Sequence, residues 1–551
     1  MNTTTFIEPV PEHFNFVHDV VERWAQQQPD AVALWWLDEA GQSQQKITFA
    51  QVAARARQAA NFYESLGLAA GDRVLVILPR VVVWWIAVTG LIRLGAVPIP
   101  GTPLLTAKDI RYRLEIAEVK AIVTDAAGAA KVEGFAGKKI IVGNGPSDWI
   151  NFSAGVAQAA AERAYRPMAS DSPGIIYFTS GTTGEAKMVL HTQASYGLGH
   201  KITGKYWLDL HPGDVIWALA DTGWGKTAWS SFFGPWIQGA TVFTLDMRGK
   251  FEPNVILKTL AAYPITVFCA PATALRLLVR KDLRLHKFPH LRHCVSAGEA
   301  LNPPVAAAWK SGTGLTIYEG YGQTETVCTI GTFASLGMEV RLGSMGKAAP
   351  GFELAIVDED GREVATNVPG QIAIRVKPHR PMAMFAEYWK NPEETAARLL
   401  GDWYLTGDTA YRDADGYFFF VGRADDVINS SSYRIGPSEV ESALQEHPAV
   451  LESAAVGVPE EMRGEIVKAY VVLRPGFDAS DKLKHELQAH CKKVTAPYKY
   501  PRQIEFIAEL PKTVSGKIRR IELRSRAASE AAARARSGSL ASRPKWWASF
   551  G

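Results

Sequence analysis

The chain has 551 residues, 47% apolar and 21% charged, with a formal net charge of +4. This length exceeds the ~250–300 residues at which one hydrophobic core stops growing, so two or more domains are expected, and the composition excludes a chain disordered throughout. So small a charge argues against a nucleic-acid or membrane-surface binder, and the longest apolar run, Val81 to Ile92 between Arg80 and Arg93, is well short of the ~20 residues a membrane span needs.

The N-terminal stretch has acidic Glu8 and Glu12 and no Lys or Arg before Arg23, unlike a secretory signal or an Arg-rich presequence. Val81 to Ile92 reads as a buried helix. From Arg73 to about residue 300, short Val- and Ile-rich runs such as RVLVILP, AVPIP, AIVTD, GIIYF, VIWALA, TVFTL and TVFCAP alternate with helix-period segments. That is the rhythm of layered α/β sheets with largely parallel strands. After residue 350, ELAIVDEDGREV and VPGQIAIRV predict a β-rich subdomain completing the large domain. A boundary is expected at Gly422-Arg423-Ala424-Asp425-Asp426, beyond which strand and helix patterns restart as an α+β unit of about 100 residues. The expected organisation is a large domain over 1–423, a small mobile domain over 424–528, and a tail over 529–551 that is Ala/Arg/Ser-rich and carries Trp546-Trp547. Cys269, Cys294, Cys328 and Cys491 have no paired or metal-ligand spacing, so reduced thiols and a cytoplasmic location are expected.

The densest chemical signal is Thr179-Ser180-Gly181-Thr182-Thr183-Gly184-Glu185-Ala186-Lys187, directly after the apolar Gly174–Phe178. Small hydroxylated residues and Gly packed this closely make a loop whose N–H groups and hydroxyls can all face one polyanion. The spacing does not fit the loop with two Gly five positions apart followed by Lys and Ser or Thr, so a different ATP chemistry is implied. Taken alone, the run also reads as an ordinary Ser/Thr/Gly turn after a buried strand.

YFTSGTTGEAK at 177–187 resembles the signature loop of the adenylate-forming superfamily of acyl-CoA synthetases, luciferases and peptide-synthetase adenylation domains. SAGEALNP at 296–303, YEGYGQTET at 318–326, YLTGDTA at 404–410, VGRADDVINSSSYRIGPSEVE at 421–441 and PKTVSGKIRR at 511–520 follow in the superfamily's order. With TAPYKYPR at 495–502, the wording is most similar to the medium-chain acyl-CoA synthetases, over nearly the whole chain to about residue 526. The resemblance implies a ligase that forms acyl-AMP and pyrophosphate from an acid and ATP, then lets CoA displace AMP. It places ATP and the acyl group in the large domain, and the catalytic Lys and the CoA contacts in the small one.

Adenylation brings a carboxylate against the α-phosphate, two anions that repel, so cations and donors must offset the charge. By resemblance, Thr179, Ser180, Gly181, Thr182, Thr183 and Gly184 supply donors for the β- and γ-phosphates and Lys187 closes the loop. Glu325 matches the acidic residue that holds Mg²⁺, a task suited to one hard oxygen ligand, and Thr324 meets the α-phosphate. Alone, an exposed Thr-Glu pair is more often a helix cap. Gly298, Glu299, Ala300 and Tyr321 flank the adenine, with Gly322, Gln323 and Thr326 completing the ATP site. Asp408 accepts from the ribose hydroxyls, joined by Arg423, while Arg434 meets phosphate oxygens. Lys517, in Ser-Gly-Lys-Ile, matches the Lys that reaches both carboxylate and α-phosphate, and Asp425 matches the hinge about which the small domain turns between half-reactions.

For CoA the resemblance carries over Ser431, Ser432 and Tyr433 at the pantetheine entrance, and Arg463, Lys492, Tyr500 and Arg502 at the nucleotide end. Ser432 stands where many superfamily members have Gly. The basic cluster of Lys517, Arg519, Arg520, Arg524 and Arg526 reads as a solvated face or, alternatively, as an attractor for phosphates. Gly322 replaces the Trp that blocks the pocket of acetyl-specific relatives, which implies a short-to-medium, branched or aromatic acid. Trp224, Gly225, Lys226 and Trp229 form another pocket wall, with Lys226 facing either the acyl chain or solvent. ATP, Mg²⁺ and CoA are the expected co-substrates and ion, with no nucleic acid, no membrane span, and a monomer or homodimer. Two other readings stay open: a carrier-protein pantetheine as acceptor, and a catalytically silent nucleotide-binding protein.

Overall fold

The computed structural model describes residues 9–179, 186–249, 251–424, 426–430, 433–460, 464–512 and 517–541. The chain forms two compact units, Met1–Ala355 with Ala373–Tyr404, and Ile356–Ile372 with Leu405–Gly551. The division falls inside the strands Leu354–Val357, Gly370–Arg375 and Trp403–Arg412.

The first unit is layered α/β. Its largest sheet has nine strands, with six parallel ones at the centre in the order Ile317–Tyr321, His293–Ala297, Val267–Cys269, Val215–Ala218, Thr241–Asp246 and Val32–Asp38. His293–Ala297 and Thr241–Asp246 are buried at every position, the continuous burial expected of strands covered on both faces. A second, wholly parallel sheet joins Val97–Gly101, Arg73–Ile77, Ala121–Thr124, Lys138–Ile141 and Ile150–Asn151. The expected buried helix is present at Val82–Leu94 and stops at Gly95, whose φ of 87° is left-handed backbone that glycine adopts without strain. A third, antiparallel sheet orders Glu387–Tyr388, Lys187–Thr192 and Pro173–Thr179.

The parallel register has a direct consequence for function. Ala297 pairs with Gly320 and Cys269 with both Ala218 and Val295, so these strands run out at one common edge. In sheets of this kind, ligands bind beyond the carboxyl ends of the strands. The segments leaving that edge are Asp221–Trp229, Gly298–Ala300 and Gly322–Thr326.

The second unit carries the strands Ile428–Ser430, Tyr433–Ile435, Val450–Glu460, Gly464–Leu473 and Gln503–Phe506, with helices Pro437–Gln445, Asp481–Val494 and Arg520–Ala541. Strand alternation sorts its core into two layers. Val467, Ala469 and Val471 face Val440, Leu444, Leu483 and Leu487. Ile466, Tyr470 and Val472 face Leu510, Leu523 and Ala527. Lys468, only 3% exposed, lies in the second layer, where Glu505 and Glu530 hold its Nζ at 2.7 and 2.6 Å. The four cysteines are buried and unbonded to one another. Among the described residues no helix is long and apolar enough to cross a membrane.

Candidate active site

Thr179 ends one strand and Lys187 begins the next, and the two pair directly at either end of the stretch expected to bind phosphate. Ser180, Gly181, Thr182, Thr183 and Gly184 lie outside the described residues. The Lys187 ammonium pairs with the carboxylate of Glu394, which also takes Nε and Nη2 of Arg398 at 3.1 and 3.0 Å. Lys187 also lies 5.4 Å from the centre of the Tyr388 ring.

The segment after Tyr321 is held from two sides. The Thr324 carbonyl accepts from His191 Nε2 at 2.7 Å and from the Tyr196 hydroxyl at 2.8 Å. Because that carbonyl can only accept, Nε2 carries a proton, while His191 Nδ1 meets Ser195 Oγ at 3.0 Å. Burial pushes the His191 pKa down to about 3, which keeps it neutral. On the other side, Phe385 N–H donates to the Glu325 carbonyl at 2.8 Å and the Tyr388 hydroxyl to Glu325 Oε1 at 2.7 Å. Backbone and carboxylate are therefore both fixed, and the half-buried Thr324 and Glu325 side chains are carried on a rigid step.

Thr326 is buried and spends its hydroxyl on the turn itself, accepting from Gln323 N–H at 3.0 Å and donating to the Val327 carbonyl at 2.9 Å. Gly298 has φ 95° and open space where a Cβ would stand, which suits a flat ligand lying against backbone. Glu299 next to it is occupied by Thr273 Oγ1 at 2.6 Å and Arg276 Nη2 at 3.2 Å, whereas Ala300 is exposed.

The expected acyl wall stands beside this step. Trp224 caps the short helix Gly225–Ser230, and a Cβ on Gly225 would lie 3.4 Å from Thr324 Oγ1. Trp229, 5% exposed, packs its indole edge on Gly322, where an added Cβ would come within 2.5 Å of the ring. Lys226 Nζ donates to the Ala297 carbonyl at 2.9 Å, tying the short helix to the strand that leads into Gly298–Ala300.

In the second unit, Asp408 and Arg423 sit opposite each other on antiparallel strands, with Nη1 of Arg423 3.5 Å from Oδ1 of Asp408. Asp408 is 5% exposed and its N–H donates to Thr406 Oγ1 at 3.2 Å. The pair thus offers a carboxylate fixed beside a guanidinium, suited to a diol. Lys492, Tyr500 and Arg502 also come together: the Lys492 Nζ is 4.1 Å and the Arg502 guanidinium 5.0 Å from the Tyr500 ring centre, and Arg502 Nη1 donates to the Tyr500 hydroxyl at 3.0 Å. Lys517 is exposed. Arg434 pairs with Asn429 in a short hairpin that also contains Tyr433, while Asp425, Ser431, Ser432 and Arg463 lie outside the described residues. Asp426, next to the expected hinge, is bonded by Arg524 Nη1 at 2.5 Å.

The sequence reading did not single out His191, Tyr196, Tyr388 or Glu394. The last two lie in Glu387-Tyr388-Trp389-Lys390-Asn391-Pro392-Glu393-Glu394, where Asn391 caps a helix with Pro at its start, so the run reads as plain helix initiation.

A family model described as the AMP-binding enzyme matches residues 21–389, and one described as the AMP-binding enzyme C-terminal domain matches 439–517. The chain is 48% identical over 530 residues to the Homo sapiens protein named acyl-coenzyme A synthetase ACSM3, mitochondrial, covering 94% of this chain and 90% of that one. It is 49% identical over 533 residues to acyl-coenzyme A synthetase ACSM5, mitochondrial, of Mus musculus, covering 94% and 91%. Among solved structures, the anthranilate CoA ligase AuaEII in complex with anthranoyl-AMP superposes with a TM-score of 0.86 at 30% identity, over 95% of this chain and 99% of that one. Both sequence relatives are named mitochondrial, which overturns the expectation of a cytoplasmic protein. Reduced cysteines report a reducing compartment and do not single out the cytosol.

Proposed function

The chain belongs to the AMP-binding enzyme family and within it to the acyl-coenzyme A synthetases, and from that premise we propose that it activates a short- to medium-chain carboxylic acid, branched and aromatic acids included. The acid's carboxylate oxygen attacks the α-phosphorus of ATP, the bond to the β-phosphate breaks, and pyrophosphate leaves. The CoA sulfur then attacks the acyl carbon of the mixed anhydride, AMP leaves, and the thiol proton is released. The observation that carries this reading is the adjacency of Gly225 and Trp229, at the acyl wall, to Thr324 and Gly322 on the rigid step. It sets an apolar wall against a hydroxyl that can donate to a phosphate and a carboxylate that can hold the phosphates' Mg²⁺.

In this reading Thr324 donates to the α-phosphate and the Gly298–Ala300 segment and Tyr321 border the adenine. Asp408 with Arg423 holds the ribose. Glu325 fits a Mg²⁺ site, because one carboxylate with a free oxygen suits an ion that keeps its waters and phosphate ligands. When bound, Mg²⁺ would neutralise charge on the leaving pyrophosphate. Lys517 offsets the repulsion between carboxylate and α-phosphate. The small domain, 424–528, turns about Asp425 so that Lys517 serves adenylation, while Ser431, Ser432, Tyr433, Arg463, Lys492, Tyr500 and Arg502 serve CoA. The Lys492–Tyr500–Arg502 cluster supports free CoA, rather than a carrier protein, as the acceptor, since it gathers two cations about one aromatic ring.

Product analysis tests the reading. AMP with acyl-CoA is expected when acid, ATP and CoA are supplied. AMP with an acylated carrier only, or no turnover, overturns it. Pyrophosphate release over acetate, octanoate, branched acids and benzoate fixes the acid, and fastest turnover with palmitate contradicts the proposed class.

A further inference from the structure

Glu325 is the one acidic side chain on the Thr324 step, and its two oxygens are not equivalent. Oε1 is taken by the Tyr388 hydroxyl at 2.7 Å, while among the described residues Oε2 carries no hydrogen bond. Tyr388 is 2% exposed and is itself fixed in several ways. Its strand pairs with Lys187–Thr192 through Tyr388 opposite Val189. Its ring packs edge-on against Phe385, centroids 5.0 Å apart. Its N–H donates to Thr395 Oγ1 at 3.0 Å, and Phe385 is in turn packed edge-on by the Tyr404 ring, centroids 5.6 Å apart. Lys187 lies over the same ring. One tyrosine thus touches both the end of the phosphate-binding segment and the acidic residue of the step, groups far apart in sequence.

We propose that Tyr388 is a positioning residue that holds Glu325 through Oε1 and so presents Oε2 to the Mg²⁺ ion of bound MgATP. This rests on the reading of Glu325 as the metal-binding residue. A phenol O–H donating to a carboxylate fixes its rotation. A carboxylate free to rotate would bind the ion in several orientations and lose affinity through the ordering this requires. Phe385 and the Thr395 hydroxyl hold Tyr388 in place, and Lys187 lies over the same ring.

The test is the Mg²⁺ concentration that half-saturates binding of α,β-methylene-ATP to the full-length protein without acid, followed by calorimetry. Tyr388→Phe deletes only the hydroxyl and is expected to raise that concentration about tenfold, the loss of one charge-assisted bond. Glu325→Gln is expected to raise it at least as far, and adding Tyr388→Phe to Glu325→Gln to change nothing more. If Glu325→Gln shifts the Mg²⁺ requirement and Tyr388→Phe does not, the positioning role is wrong. If neither shifts it, the metal-binding reading of Glu325 falls, and the positioning role with it. Should Tyr388→Phe fail to fold, Tyr388→p-aminophenylalanine, which keeps the ring and puts a weaker donor in place of the hydroxyl, carries the test. A rise of about twofold supports the proposal and no rise overturns it.

Discussion

The indole of Trp229 occupies the space that a side chain at Gly322 would need, its Cη2 lying 2.5 Å from where a Cβ would stand. The Val327 carbonyl lies nearer still, at 2.1 Å. Glycine here is therefore a packing requirement, and in the proposed acyl pocket Trp229 is the wall that limits acyl length. Trp229→Ala is expected to shift the acid with the highest kcat/KM toward longer or bulkier chains. Gly322→Ala is expected to cost about 1–3 kcal/mol of stability by overpacking. Kinetics over an acid series and a denaturant titration check the two.

In the proposed mechanism Lys517 separates the half-reactions. Lys517→Ala is expected to lower acyl-AMP formation by about 10²- to 10³-fold while largely sparing thioester formation from supplied acyl-AMP. Equal loss in both half-reactions removes its assignment to adenylation.

Acid stability reports on His191. Burial holds its folded pKa near 3 against an ordinary value of 6.5, so the unfolded chain takes up a proton that the folded one refuses. The stabilisation is complete above the unfolded value and is lost as pH falls toward 3. His200, buried 4.5 Å from the Tyr196 ring, acts in the same direction. His191→Gln is expected to shrink the drop in unfolding free energy between pH 7.5 and pH 5 by about 2 kcal/mol. An unchanged drop shows that His191 is charged in the folded protein.

The second unit yields a partner-specific test. Arg502→Ala removes the guanidinium from Tyr500 and is expected to raise the KM for CoA about 5- to 50-fold with the KM for ATP unmoved. A parallel rise for ATP argues against a CoA role.

Much of this architecture was legible in residue pattern. RVLVILP, TVFTL and ELAIVDEDGREV became the strands Arg73–Ile77, Thr241–Asp246 and Leu354–Val357 because continuous burial leaves a continuous apolar run. Asp408 and Arg423 were named together and do lie together, since each sits on one of two adjacent antiparallel strands. Contacts made by folding distant segments onto each other left no local mark. Lys226 gave no sign of its bond to a carbonyl 71 residues away, because any backbone carbonyl is an equal acceptor. His191 and Tyr196 lie 133 and 128 residues from Thr324 in sequence, and Tyr388 sits in a stretch whose spacing already had a sufficient explanation as a capped helix start.

The pairing of Thr179 with Lys187 also sets how this enzyme can vary. Ile176, Met188 and Leu190 from these two strands are fixed in the hydrophobic core, so neither strand can slide by one place without turning its apolar side chains outward. A gain or loss of a single residue between 179 and 187 cannot be absorbed by the ladder. It must appear entirely as a change in the span of chain proposed to meet the triphosphate, which would make the length of that stretch as constrained as its composition.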